Sequence, residues 1–261
     1  MQNSMFSGLF GALTNEHRMN SIANNLANVN TVGYKRDTLA FKDTFMMYAH
    51  DQIMEPIANV RSEKLFPDPH HAARPRLAVS QTDFSQGSLK GTGGTLDLAI
   101  SGEGFFTVMT PQGEYYTRNG HFRLDAAGTL ITEQGYPVMS NGGEIVVPPG
   151  VKSLVVAEDG QVYGDDEVLG QINVVNIDNP SASLEKLGHN LFRGREGAEV
   201  ALIEENVGTV AQGFLEMPNV DVVYEMVNMI EAQRQFEAYQ KVMQTSDAVD
   251  REATTKVGRN R

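Results

Sequence analysis

Two runs of helical apolar spacing, one at each end of the chain, bracket a middle whose apolar runs are too short for helices. From Ser4 to about Asn28, Met5, Leu9, Ala12, Met19, Ala23 and Leu26 form one stripe, with Phe6, Leu13 and Ile22 alongside. The stripe ends in Asn28-Val29-Asn30-Thr31-Val32-Gly33, whose asparagines and glycine favour a turn. After Pro218-Asn219 a second helix opens at Asp221, an acidic residue suited to a helix N-terminus. Its seam runs through Val222, Met226, Met229, Gln233, Phe236, Gln240 and Met243, flanked by Val223, Val227, Ile230 and Val242. Glu225, Glu231, Arg234, Glu237, Lys241 and Asp247 make the other face polar. About thirty residues of helix extend roughly 45 Å, which is long for a helix lying on a small β domain. Two such helices can pack privately within a monomer. A seam rich in Met and Gln, beside a first helix rich in Gly, Ser and Asn, suits packing between several chains better.

Between the helices the texture changes twice. Residues from about Tyr34 to Gln81 read as an extended connector with Pro56, Pro67, Pro69 and Pro75, and a short helix is expected near Thr38 to Met54. From Asp83 to about Glu216, short apolar or alternating runs are separated by turn signals at Gln112-Gly113, Asn119-Gly120, Asn141-Gly142-Gly143 and Asp159-Gly160. Strands are expected at Leu96 to Ile100, Phe105 to Met109, Glu114 to Thr117, Glu144 to Val147, Ser153 to Ala157, Gln161 to Tyr163 and Gln171 to Ile177. Spacing this short suits antiparallel hairpins and excludes a regular βαβ array. The expected class is therefore α+β: a mainly antiparallel β domain flanked by long terminal helices that pair as a coiled-coil-like bundle. The expected division is 1–33, 34–81, 82–216 and 217–261.

Composition narrows the function. The 261 residues are 41% apolar with 12 Phe and 8 Tyr, enough for a packed core. A formal charge of −12 argues against affinity for nucleic acid or an anionic membrane, which need a basic field. No cysteine is present, so disulfides, thiolate metal sites and thiol catalysis are excluded together. The opening MQNSMFSGLFGALTNEHR has no basic n-region and no clear cleavage site, so a cleaved signal peptide is not expected. No run approaches the roughly 20 apolar residues of a membrane span, so no direct membrane insertion is expected.

Chemistry-bearing patterns are sparse. His70 and His71, after Asp68, lack a facing ligand pair and an element to hold them. Thr92-Gly93-Gly94-Thr95 and Gly102-Glu103-Gly104 lack a following GK[ST] and read as turns. Asp165-Asp166-Glu167 lacks the alternating oxygen ligands of a calcium loop. No nucleophile or acid-base arrangement is recognisable, and no metal or cofactor is expected. Two rivals to a structural subunit remain open on the residues alone: a secreted polysaccharide-acting enzyme, and a β-rich binding or adhesion module.

The asparagine-dense turn has a physical reading. Each amide of Asn24, Asn25, Asn28 and Asn30 offers two donors and an acceptor to backbone groups left open at a helix end. Gly33 is expected at positive φ, with Lys35 and Arg36 then reaching solvent or a neighbour's acidic side chain.

The run Ala23-Asn24-Asn25-Leu26-Ala27-Asn28-Val29-Asn30-Thr31-Val32-Gly33-Tyr34-Lys35-Arg36 closely resembles the N-terminal signature of the flagellar rod and hook proteins. Further resemblances follow in order: Leu96-Asp97-Leu98-Ala99-Ile100 with Gly102-Glu103-Gly104-Phe105-Phe106, Tyr116-Thr117-Arg118-Asn119-Gly120 with Phe122, and Gly135-Tyr136-Pro137-Val138. Asn219-Val220-Asp221, Met226-Val227, Ile230-Glu231-Ala232-Gln233-Arg234 and Phe236-Glu237-Ala238 are similar to the family's C-terminal helix. The length suits a rod member with one β domain, and Thr82-Asp83-Phe84-Ser85-Gln86-Gly87 resembles the proximal rod form more than the distal one.

The resemblance implies an axial subunit of the bacterial flagellum, exported unfolded through the organelle's own channel and stacked helically in the periplasmic rod. Its partners would be copies of itself, other rod subunits and the export apparatus. The implied assembly interface comprises Leu9, Met19, Ile22, Asn24, Asn25, Leu26, Asn28, Val29, Asn30, Gly33, Val222, Met226, Met229, Ile230, Phe236 and Met243. Both ends are expected to be largely disordered in the exported monomer. About six apolar residues at roughly 1.5 to 3 kcal/mol each do not offset an ordering cost of roughly 1 to 2 kcal/mol per residue.

Overall fold

A computed structural model describes residues 2–46, 72–165, 167–195, 197, 200–203 and 208–258. Helix α1 spans Gln2–Ala27, the four-residue α2 spans Pro180–Ser183, and α3 spans Val222–Gly258, with antiparallel strands between the long helices. The α+β class and the mainly antiparallel middle are as expected. Asp68, His70, His71, Asp166 and the stretch 47–54 lie outside the described residues.

The chain divides into two units. One comprises Met1–Ala23, Leu39–Ser80 and Met226–Arg261; the other comprises Asn24–Thr38 and Gln81–Glu225. The second unit therefore contains the last turn of α1 and the first turn of α3 as well as the β domain.

The β unit is organised by a six-stranded antiparallel sheet. Its order is Leu184–Gly188, Leu191–Gly194, Gly113–Thr117, Phe105–Thr110, Val174–Ile177 and Leu202–Ile203. Successive side chains of a strand point to opposite faces, so Phe105 and Phe106 serve two cores. Phe106 and Val108 join Leu98, Ile100, Phe122, Val138 and Val162 in the larger one. Phe105 meets Phe192 and Tyr116 in the smaller one, where Phe84 packs edge-on against Phe105 and Phe192. Burial on both faces explains why Phe105, Phe106 and Val108 do not alternate with exposed polar residues, and Thr107 between them is buried too.

Two short pairings close the domain. Leu98–Ser101 pairs with Thr209–Gln212, and Leu89–Gly91 with Phe214–Glu216, so the segment leading into α3 is stitched to the start of the β domain.

The expected helix near Thr38 is not formed: Asp37–Met46 is a strand paired with Ala72–Thr82. Leu39, Phe41 and Phe45 recur at period two in the sequence, a strand signal masked by the prolines further on. At the base of this ribbon the Asp83 N–H donates to the Arg36 carbonyl at 2.9 Å, and the Thr82 hydroxyl to Asp37 Oδ1 at 2.8 Å.

Candidate assembly interface

In the helical unit, α1 and α3 run antiparallel through small residues. Gly8 lies opposite Met243, where an added Cβ would stand 3.1 Å from Met243 Cγ, and Gly11 lies against the Tyr239 ring. Asn15 Nδ2 donates to the Ala232 carbonyl at 2.5 Å, with both residues buried. Ala12 and Ile22 are also buried in this part of α1. Glycine and alanine let the backbones approach closely, and a buried amide needs such a carbonyl to be satisfied.

The contact line of α3 is rotated from the seam read in the sequence. Ala232 is fully buried, with Met229, Phe236, Tyr239 and Met243 partly so, whereas Met226, Gln233 and Gln240 are exposed. Both faces of this helix carry apolar side chains, so periodicity alone did not choose between them. The outward face keeps Met226, Val227, Ile230, Val242 and Val249 about half exposed, and on α1 Leu9 and Leu13 are 44% exposed.

The asparagine turn is spent inside the β unit. Asn25 is 2% exposed: its Oδ1 accepts the Asp37 N–H at 2.9 Å and the Tyr34 hydroxyl at 3.1 Å. Its Nδ2 donates to the Asp37 carbonyl at 3.0 Å and to Glu225 Oε1 at 3.4 Å. All its hydrogen-bonding capacity goes to joining α1, the turn and α3. Asn28 Nδ2 caps the helix by donating to the Asn24 carbonyl and to Asn24 Oδ1, both at 2.9 Å. Gly33 has φ 69°, and its N–H donates to the Glu216 carbonyl at 2.8 Å. Asp221 caps α3, its Oδ1 accepting the Tyr224 N–H at 3.1 Å.

Of the other residues implied as interface, Asn24 and Asn30 are exposed, and Met19, Leu26, Val29 and Val222 are partly buried.

Lys35 overturns the expectation that it reaches solvent or a neighbour. It is 1% exposed, and its Nζ donates to Glu216 Oε1 at 2.6 Å and to the Ser85 carbonyl at 2.7 Å. Glu216 Oε2 accepts Arg118 Nη1 at 3.3 Å, and Arg118 Nη2 reaches the Gly102 carbonyl at 3.0 Å. Burial pushes the Lys35 ammonium below its ordinary value, with Glu216 opposing; Arg118 is lowered by burial against the same carboxylate. Arg36 pairs instead with Asp83 at 2.9 Å, partly exposed. Asn219 ties these segments together, accepting the Arg36 N–H at 2.8 Å and donating to the Asp83 carbonyl at 2.8 Å.

The sequence reading missed Glu216, Asn219 and Glu225 as joint residues. A readable signal existed for one of them: Glu216 follows Phe214 and Leu215 in a strand of an otherwise apolar texture.

A cleft of about 260 Å³ carries the carboxylates Glu158 and Asp159, but they are sequence neighbours, and Asp159 Oδ1 accepts the Gln161 N–H of its own turn. Among the described residues no group of acidic and histidine side chains could hold a metal, and no helix is long and apolar enough to cross a membrane.

Terminal helices with apolar side chains left exposed, at the ends of a chain whose middle is a β unit, suit a structural subunit, and the comparisons agree. Residues 11–35 match the family described as flagella basal body rod protein, residues 99–164 the flagellar hook protein FlgE/F/G D1 domain, and residues 211–255 the flagellar basal body rod FlgEFG protein C-terminal. The chain is 36% identical to the flagellar basal-body rod protein FlgG of Bacillus subtilis, over 95% of this chain and 97% of that one. It is 32% identical to the flagellar basal-body rod protein FlgF of Caulobacter vibrioides, over 99% of both chains. The chain belongs to the flagellar basal-body rod protein family. It is a structural rod subunit and not an enzyme.

Proposed function

We propose that this subunit polymerises helically through α1 and α3, which line an inner tube as a coiled-coil-like bundle, while the β unit forms the outer layer of a periplasmic drive shaft and export channel. The carrying observation is the outward apolar face of α3, with Met226, Val227 and Ile230 each at least half exposed although the helix has already packed on α1 through small residues. Half-exposed apolar residues gain from burial against a neighbouring helix, at up to roughly 1.5 to 3 kcal/mol for each fully buried side chain.

The neighbours in this reading are copies of the chain and other rod subunits, and Thr82 to Gly87 supports a proximal position. The chain travels unfolded through the flagellar export apparatus, and its helical ends order on assembly. Electron microscopy of basal bodies from cells lacking the chain tests the role. Rods that stop short are expected; intact rods would refute it.

A further inference from the structure

The carboxylate of Glu216 is fully buried and gathers donors from three distant parts of the chain: Lys35 Nζ, 181 positions away, the Gly87 N–H, 129 away, and Arg118 Nη1, 98 away. Two of these donors are cations that are themselves at least 96% buried, from exposures of 1% and 4%. Lys35 and Arg118 have carbonyl partners in Ser85 and Gly102, yet Glu216 is the only anion within salt-bridge distance of either among the described residues. Arg118 Nε has no hydrogen-bond partner among the described residues, so the cluster holds no reserve of acceptors.

We propose that Glu216 is a keystone that makes folding of the β unit wait for the C-terminal end of the domain. Lys35 follows the turn after α1 and Arg118 follows the central strand Gly113–Thr117, and both are buried once the β unit closes. Until Glu216 arrives, that burial places two uncompensated positive charges in the interior, a state that a marginally stable domain does not tolerate. Glu216 belongs to Phe214–Glu216, the final strand before α3, so it is made after every other strand of the unit. The same strand accepts the Gly33 N–H through the Glu216 carbonyl, which couples closure of the turn to the same event. The β unit therefore stays open until the strand that carries Glu216 joins it, and then closes in one step. This claim concerns folding and stands apart from the proposed role in assembly.

The test uses nascent chains during synthesis and the full chain once purified. Thermolysin pulses during synchronised cell-free synthesis should find no protected β core in nascent chains ending before Glu216, and a protected core in completed chains. In purified full-length protein, Glu216→Gln should lower the folded-to-unfolded ratio about 100-fold to 1000-fold, read from pulse proteolysis across a urea series. Adding Lys35→Met to Glu216→Gln removes one stranded cation and should recover at least tenfold of that loss. This second variant keeps the test decisive if Glu216→Gln alone does not fold. A protected core in chains that end before Glu216 would overturn the proposal. So would a Glu216→Gln protein as resistant as the wild type, or no recovery on adding Lys35→Met.

Discussion

Gly11 lies so close to Tyr239 that a Cβ at that position would stand 2.4 Å from the ring carbon Cε1. This contact fixes which face of α3 meets α1, and so which face stays exposed. Gly11→Val is expected to destabilise the helix pair by about 1 to 3 kcal/mol through overpacking. Tyr239→Ala in the same chain should relieve the clash. Thermal melting of the helical circular dichroism of assembled material, compared across the single and double variants, checks both.

The turn after α1 depends on Gly33. Its φ of 69° disfavours any residue with a Cβ, and that atom would lie 2.5 Å from the Asn119 backbone nitrogen. Backbone cannot rotate away as a side chain can. Gly33→Ala is expected to cost about 2 kcal/mol or more from strain and displacement together. Urea unfolding with an unchanged m-value would report the loss as a lower midpoint.

Asn25 should be as sensitive for a different reason. Asn25→Ala removes an acceptor from the Asp37 N–H and the Tyr34 hydroxyl in a buried place, and withdraws a donor from Glu225. A loss of about 2 to 3 kcal/mol is expected, because stranded buried polar groups bear their full desolvation cost. Asn24→Ala, at an exposed position, should cost much less, and the two midpoints measured side by side separate these cases.

How much of this was legible in the sequence follows from what each signal encodes. The long helices and the hairpin-rich middle are local periodicities, and the strand Phe105–Thr110 lies close to where its apolar run placed it. Gly33 was also readable, because a turn requirement is local. Lys35 was not, since its partner Glu216 enters from the far end of the chain. The strand at Asp37–Met46 was missed because the prolines further on masked its local signal and its partner Ala72–Thr82 is distant in sequence. The contact face of α3 was ambiguous because apolar residues spread around the helix, Met229 on the side that meets α1 and Val227 and Ile230 on the exposed side, and the small partners Gly8 and Gly11 settle the choice.

The acid limb of stability has a sign set by Asp83. Burial raises its carboxyl, but hydrogen bonds from Ser85 and from Arg36 outweigh that effect, and the folded value lies below the ordinary 3.8. A carboxyl depressed in this way contributes stability that is fully present above 3.8 and is lost as pH falls through the folded value. Asp83→Asn is therefore expected to flatten the fall in urea midpoint below pH 3.8 and to leave the pH dependence above about pH 5 unchanged.

Assembly through the outward face of α3 is tested most directly by replacing Met226, Val227 and Ile230 together with Ser in the full chain and measuring incorporation into rods in cells that lack the native copy. The side chains are exposed, so the near-ultraviolet circular dichroism of the β unit should match the parent. Incorporation is expected to fall about tenfold or more. Rods built at the parental level from a chain without that apolar face would contradict the account.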